Sequence, residues 1–225
     1  MALLGIIVGV VVMLLAGIIW WQSRSFTSQV AQIEGKAYYE TLADGNALGK
    51  PDAPLTIMEF SDFLCMHCQH FFAQTEDEFV RTLVEPGKVR FVYRTMGDAI
   101  GGPRSLAAAS GLYCALEQDA FWPYHDLLFL AAPQARGDNH IFGREHLIAL
   151  ARQLGLDTGA FAACLDSGRG EKRALQDRDD GAAYGVTGTP TFIFLDANGQ
   201  EVHRIEGAYP LDAFVQAVGQ LLGGP

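Results

Sequence analysis

Apolar and polar positions divide the chain into segments with different periods. Residues 1–21, Met1 to Trp21, form an apolar run without a charged side chain. As a helix at about 1.5 Å per residue it spans roughly 30 Å, the thickness of a bilayer core. A shorter run, Leu55-Thr56-Ile57-Met58-Glu59-Phe60, is nearly all apolar and predicts a strand buried on both faces. Helical spacing follows, with Phe72, Phe79, Val80 and Leu83 on one face together with Cys68, until Glu85-Pro86-Gly87 ends it. Val89-Arg90-Phe91-Val92-Tyr93 predicts a second strand, so this part reads strand, helix, strand, a parallel pair with a right-handed crossover.

From about 102 to 184 the pattern is helical. Ser105–Leu116 is alanine-rich, Tyr124–Leu130 follows a Pro123 suited to a first helical turn, and His146–Leu154 repeats apolar residues at helix spacing. Asp157 or Thr158 can cap Phe161–Leu165, and Glu171–Tyr184 is charged on one face. Strand character returns in Thr191–Leu195. A turn at Asp196-Ala197-Asn198-Gly199 and alternation over Glu201–Ile205 complete a hairpin. Leu211, Phe214, Val215, Val218 and Leu222 give a last helix its apolar face. The order βαβ, helical block, ββα predicts an α/β sheet domain with a helical insertion.

The first run admits two readings, a transmembrane anchor and a cleaved signal peptide. Ile18-Ile19-Trp20-Trp21 stands where a small-residue cleavage site belongs, and paired tryptophans suit a membrane interface, so the anchor is favoured. Arg24 directly after the run is a small vote for a cytoplasmic domain, and cysteine usage must decide the orientation. Residues 22–50 are polar or small and read as a linker. Residues 51–225 are enough for one domain with a substantial core. The net charge of −10 argues against a nucleic-acid surface, and the sequence has no internal repeat.

The candidate chemistry centres on Cys65-Met66-His67-Cys68 at the start of the first domain helix. Cysteines three apart at a helix start can close a disulfide across one turn, and a thiolate there faces the positive end of the helix dipole. Cys65, at the tip, is the expected nucleophile, and Cys68, one turn in, the resolving thiol. His67 as imidazolium would stabilise the Cys65 thiolate; the plain alternative is a surface histidine. Met66 offers an apolar substrate contact. Gln69 rules out a haem-attachment motif, and Cys114 and Cys164 lack the neighbouring ligands of a zinc site, so no metal is expected. The other histidines, His70, His125, His140, His146 and His203, form no ligand set along the chain. Glu59 is either a buried carboxylate able to exchange a proton with Cys68 or a strand-end residue reaching water. Asp62 reads as a solvated loop acid. Thr189–Pro190 precedes the later strand; a cis bond would present the Thr189 backbone to an extended peptide, and the residues alone favour trans. Cys114 and Cys164 read either as a bridge or as two buried thiols, and the membrane anchor favours the bridge.

Taken in order, the motifs resemble the DsbA-like thiol–disulfide oxidoreductases of the thioredoxin superfamily. The match spans about residues 48–224. It is carried by Gly49-Lys50-Pro51-Asp52-Ala53-Pro54 leading into Ile57–Phe63, by Cys65-Met66-His67-Cys68 six residues after Glu59, by Phe121-Trp122-Pro123-Tyr124-His125, and by Gly185-Val186-Thr187-Gly188-Thr189-Pro190-Thr191-Phe192. The resemblance implies a thioredoxin fold with an inserted helical domain, a cis Pro190 facing Cys65 and Cys68, and a second disulfide between Cys114 and Cys164. It implies no cofactor beyond the redox-active cysteines. It also implies oxidation of exported unfolded proteins on the extracytoplasmic (periplasmic) side of the membrane, with electrons passed to a membrane partner resembling DsbB or a vitamin-K-epoxide-reductase homologue. Met66 departs from the proline that the best-known members carry, which bears on oxidising strength. A reductase or isomerase of the same fold, or a tethered non-catalytic peptide-binding module, are the alternatives.

Overall fold

A computed structural model describes residues 11–14, 16–17, 36 and 38–223. The chain divides into two units, 1–36 and 37–225. In the first, residues 11–14 and 16–17 are helical. The expected anchor over 1–21 and residues 22–35 of the expected linker lie largely outside the described residues. Among the described residues no helix is long and apolar enough to cross a membrane.

The second unit begins with helix α1 (Tyr38–Leu42) and a minimal hairpin, β1 (Ala43–Asp44) and β2 (Ala47–Leu48). This corrects the expected linker over 22–50, because residues 38–48 belong to the fold. β2 pairs antiparallel with β4 (Val89–Thr95), Ala47 opposite Val92; the Tyr93 amide donates to Asn46 O at 3.0 Å, and Asn46 Nδ2 donates to Tyr93 O at 2.8 Å. Two-residue strands have no period to read, so this hairpin is invisible to a pattern analysis.

β3 (Leu55–Ser61), β4, β5 (Thr191–Leu195) and β6 (Glu201–Glu206) complete a sheet of order β1-β2-β4-β3-β5-β6. β3 and β4 are parallel, with Glu59 opposite Tyr93 and Ser61 opposite Thr95; β5 and β6 run antiparallel to their neighbours. The crossover from β3 to β4 is one helical run over 66–84, here α2. It starts as α-helix at Met66–Phe71 and passes through π-helical turns at Phe72–Glu76 and Val80–Val84. On the face of the sheet beneath α2, Phe71 packs on Phe192 (ring centroids 4.7 Å) and Phe79 on Phe91 (5.1 Å). Phe214, from the last helix α8 (Leu211–Leu221), closes that layer against Phe192 at 4.8 Å. Met58, Phe60, Met96, Val186, Ile193 and Leu195 build a second core from the opposite face.

The helical insertion between β4 and β5 comprises α3 (Pro103–Leu116), α4 (Phe121–Ala131), α5 (Arg144–Gln153), α6 (Thr158–Asp166) and α7 (Arg169–Ala183). Asp157 caps α6, accepting from Gly159 N at 2.8 Å and Ala160 N at 3.0 Å. α7 is pinned to β4 through Asp177, which takes Arg94 Nη1 at 2.6 Å, the Thr95 amide at 3.2 Å and the Tyr113 hydroxyl. Burial nevertheless leaves the Asp177 carboxyl above its usual range. α3 and α7 pack so closely that a Cβ on Gly170 would run into the Ser110 carbonyl oxygen and Cys114 Sγ. Cys114 on α3 and Cys164 on α6 are disulfide-bonded, S–S 2.05 Å.

That bridge spans a sequence separation of 50. By the chain-entropy relation, replacing both cysteines with alanine is expected to lower the unfolding free energy by about 4 kcal/mol. Equilibrium urea denaturation of the two proteins, with Cys65 and Cys68 held in one redox state, checks this; an unchanged midpoint refutes it.

Candidate active site

β3 ends at Ser61, and the chain turns through 62–65 before α2 begins. The turn is organised by Asp62, which is fully buried. Its carboxylate accepts from the Leu64 amide at 2.7 Å and the Gly101 amide at 2.8 Å. The reading of Asp62 as a solvated loop acid is therefore corrected: the 98–102 loop folds over it, and a Cβ on Gly101 would lie 2.7 Å from Asp62 Oδ1. Two backbone donors satisfy the carboxylate, which is what permits its burial. Gln69 Nε2 ties α2 back to Phe63 O at 2.8 Å, and Arg136, after α4, reaches Gln69 Oε1 at 3.1 Å.

Cys65 occupies the N-cap position of α2 with extended backbone (φ −73°, ψ 123°). It is half-buried, whereas Cys68 is fully buried one turn in. Both are thiols in this structure. The Thr189–Pro190 bond is cis, and Cys65 Sγ lies 3.3 Å from the Thr189 carbonyl oxygen. The cis geometry is what the family resemblance implies; the residues alone favoured trans. Gly207 N in turn donates to Pro190 O at 2.7 Å, holding the loop against the end of β6. Met66, beside Cys65, is 59 % exposed, and Tyr209, two residues past Gly207, is 51 % exposed. Tyr209 had no signature in the sequence.

The two sulfurs are driven apart electrostatically. Cys65 is pushed down to about 5, chiefly because the Cys68 thiol donates to its thiolate; this and contacts from Thr189 and the backbone N–H groups of Cys68 and His67 overcome the cost of partial burial. What His67 supplies here is its main chain, and its side chain is exposed. These backbone donors stand at the helix start, where N–H groups have no intrahelical partner. Cys68 is pushed well above the ordinary thiol range by burial, then by the bond to Cys65 and by the charges of Cys65 and Glu59. Glu59 is buried, 1 % exposed, in the middle strand of the sheet. Burial raises it to about 8, with Ser61 pulling the other way and the Cys65 charge adding to the rise. Of the two sequence readings for Glu59, the buried carboxylate holds.

Glu76 is remote in sequence from His125 and its neighbour Asp126, yet the fold brings the three together in the interior, one ligand atom of each within 4.8 Å of the others. The absence of a ligand set around the histidines is thus corrected for His125, because Glu76 comes from α2 and the other two from α4. Asp126 Oδ1 is held by the Tyr39 hydroxyl at 2.9 Å and lies 3.0 Å from His125 Nδ1. The imidazole packs among Tyr93, Phe129 and Trp122, with centroids at 4.6, 4.8 and 5.2 Å. This buried network joins the active-site helix to the insertion.

A half-buried, acidified thiol at a helix start, a buried partner thiol and a cis-proline carbonyl beside them, on a sheet of this topology, define a thioredoxin-type dithiol domain. The family profile described as Thioredoxin matches residues 41–217. The chain belongs to the thioredoxin family. It is similar to the Na(+)/H(+) antiporter NhaA 3 of Salinispora tropica, 34% identical over 170 residues, 76% of this chain and 24% of that protein. The chain therefore spans about a quarter of the length of that relative. It is also similar to disulfide bond formation protein D of Bacillus subtilis, 33% identical over 86 residues, 38% of this chain and 39% of that protein. The crystal structure of oxidised BdbD from Bacillus subtilis superposes with a TM-score of 0.69 at 23% identity, covering 80% of this chain and 94% of that one, a likeness of fold.

Alkylation separates the two thiols. In the fully reduced protein, iodoacetamide reactivity at Cys65 is expected to titrate near pH 5 and to stay flat through neutral pH, because the thiolate is the nucleophile. Cys68 is expected to remain unmodified below pH 9. Peptide mass mapping after timed alkylation reads both; equal labelling of the two cysteines at pH 7 refutes the asymmetry.

Proposed function

We propose that this protein is a thiol–disulfide oxidoreductase that introduces disulfides into exported proteins through Cys65 and Cys68. The observation that carries the reading is the split between the two sulfurs, with Cys65 held near 5 and Cys68 far above it. Stabilising the Cys65 thiolate stabilises the reduced dithiol, and a stabilised reduced form makes the disulfide the stronger oxidant. A substrate thiolate attacks Cys65 Sγ, and Cys68 departs with the electron pair of the broken S–S bond. The second substrate thiol then attacks the substrate sulfur of the mixed disulfide, which forms the substrate disulfide and releases Cys65 as a thiolate. The dithiol leaves with two electrons that a membrane partner of the DsbB or vitamin-K-epoxide-reductase kind removes.

Thr189 and Pro190 line the approach to Cys65, and an extended substrate segment pairs with the Thr189 backbone beside Met66. Residues 1–21 anchor the chain, with the dithiol domain on the extracytoplasmic side. Support for that side comes from the Cys114–Cys164 bridge, since such bonds persist outside the reducing cytosol. Similarity to a disulfide bond formation protein points the same way.

Reoxidation of reduced, unfolded ribonuclease by the oxidised full chain tests the reading. Recovery of ribonuclease activity is expected with wild type and its loss with Cys65→Ser. The Cys65–Cys68 reduction potential, from glutathione titration with thiol trapping, is expected nearer about −120 mV than about −270 mV. A value at the lower end makes the protein a reductase and overturns the proposal.

A further inference from the structure

The turn over 62–65 carries the reactive sulfur, and the surrounding fold grips it from several sides. Phe63 plugs between Tyr93 of β4 and Phe129 of α4, with ring centroids at 5.8 and 4.8 Å. Gln69 Nε2 closes the turn onto Phe63 O at 2.8 Å, and Arg136 reaches Gln69 Oε1 at 3.1 Å. The least expected contact comes from the loop that leads into the helical insertion. The Gly101 amide, 39 residues from Asp62 in sequence, donates to Asp62 Oδ2 at 2.8 Å, while the Leu64 amide donates to Oδ1 at 2.7 Å.

Asp62 thus has one local and one remote donor, and it is fully buried. Giving up either arm leaves an oxygen in the interior without a donor, which is costly for a carboxylate. The turn and the 98–102 loop are therefore held as one piece. The loop is fastened elsewhere too: Asp98 Oδ1 accepts from Arg178 Nη1 at 2.9 Å, and just before it Met96 N donates to Ser61 O at 2.9 Å. At Gly101 there is no room for a side chain, because a Cβ would stand 2.7 Å from Asp62 Oδ1 and 2.8 Å from Ser105 Cβ. What the tie holds in place is the backbone in front of α2. The Cys65 amide donates to Asp62 O at 3.1 Å, and Gln69 N donates to Cys65 O at 3.0 Å. Cys65 keeps extended N-cap geometry, with its Sγ 3.3 Å from Thr189 O. A sulfur at that position faces amides that have no intrahelical partner, and a displaced one does not.

We propose that Asp62 is a positioning residue for the Cys65 thiol: by tying the 62–65 turn to Gly101 of the 98–102 loop, its carboxylate keeps Cys65 at the N-cap of α2, where the first amides of the helix reach the sulfur. It concerns the reactive thiol of the exchange proposed above and rests on that reading. Asp62 takes no part in making or breaking bonds. Its charge alone works the other way. A nearby carboxylate disfavours a thiolate, so neutralising Asp62 would by charge make Cys65 more acidic. Loss of the tie makes Cys65 less acidic. The opposite signs separate position from charge.

The test titrates the Cys65 thiolate by its ultraviolet absorbance in the reduced full chain, wild type against Asp62→Asn and Gly101→Ala. In Asp62→Asn an NH2 replaces one oxygen and cannot accept from the amide it faces. In Gly101→Ala the carboxylate is intact and the added methyl pushes the loop off it. Wild type is expected to titrate at about 5. Each variant is expected to titrate about one pH unit or more higher. At neutral pH this makes the Cys65–Cys68 disulfide about tenfold weaker as an oxidant against glutathione, or about 30 mV lower in reduction potential. Urea denaturation follows stability separately. An Asp62→Asn protein whose Cys65 titrates at or below the wild-type position overturns the proposal. So does a loss of stability in both variants with titration and potential unmoved. Where Asp62→Asn fails to fold, Gly101→Ala decides in the same terms. A wild type that titrates at about 5 yet exchanges no disulfide with glutathione overturns the exchange reading, and the tie is then judged on the titration shift alone.

Discussion

The structure depends on unequal solvation of two sulfurs three residues apart. Cys65 caps the start of α2 and keeps contact with solvent, while Cys68 is sealed over Glu59 in the middle of the sheet. A helix turn fixes their separation, so one can be wet and the other dry only if the sheet surface is brought up beneath the second. β3 does this because it is buried along its length and ends one short turn before the helix. Thiol donation then flows one way, from the dry sulfur to the wet one, and the charge settles on Cys65.

The carboxylate under Cys68 looks like a destabilising choice, since burying an ionised acid is costly and the group responds by holding its proton. A Glu59 raised to about 8 by burial keeps its proton at neutral pH and gives it up slightly above. The aromatic layer of Phe63, Tyr93, Phe129 and His125 keeps this region closed. The insertion supplies half of that layer through α4, and the Arg94–Asp177–Tyr113 contact holds its far end against β4. The helical block is therefore part of the active-site wall as well as a cover for the sheet.

Much of the architecture was legible in the pattern of residues. The nearly all-apolar run before Cys65 read as an interior strand, and the switch to helical spacing after it put the cysteines at a helix start. The cap of α6 was narrowed to Asp157 or Thr158, and Asp157 supplies it. The hairpin over 43–48 was not legible, because two-residue strands carry no alternation and their pairing with β4 is supplied by backbone bonds. Asp62 was misread because an acid beside a turn is ordinarily solvated. Only the return of the 98–102 loop, with Gly101 against the carboxylate, encloses it.

The sequence by itself determined the longer elements from Leu55 onward, their order and the dithiol at the head of α2, because periodicity, capping and helix direction are local properties. Tertiary structure decided everything that depends on residues far apart in the chain. It brought Thr189 beside Cys65 across 124 residues. It joined Cys114 to Cys164 and gathered Glu76, His125 and Asp126 into one interior network. It also set Tyr93 opposite Glu59, with Ser61 one step along the same face. Burial and proximity are sums over the whole packed molecule, so the ionisation of each group in this site follows from the fold and not from its neighbours in sequence.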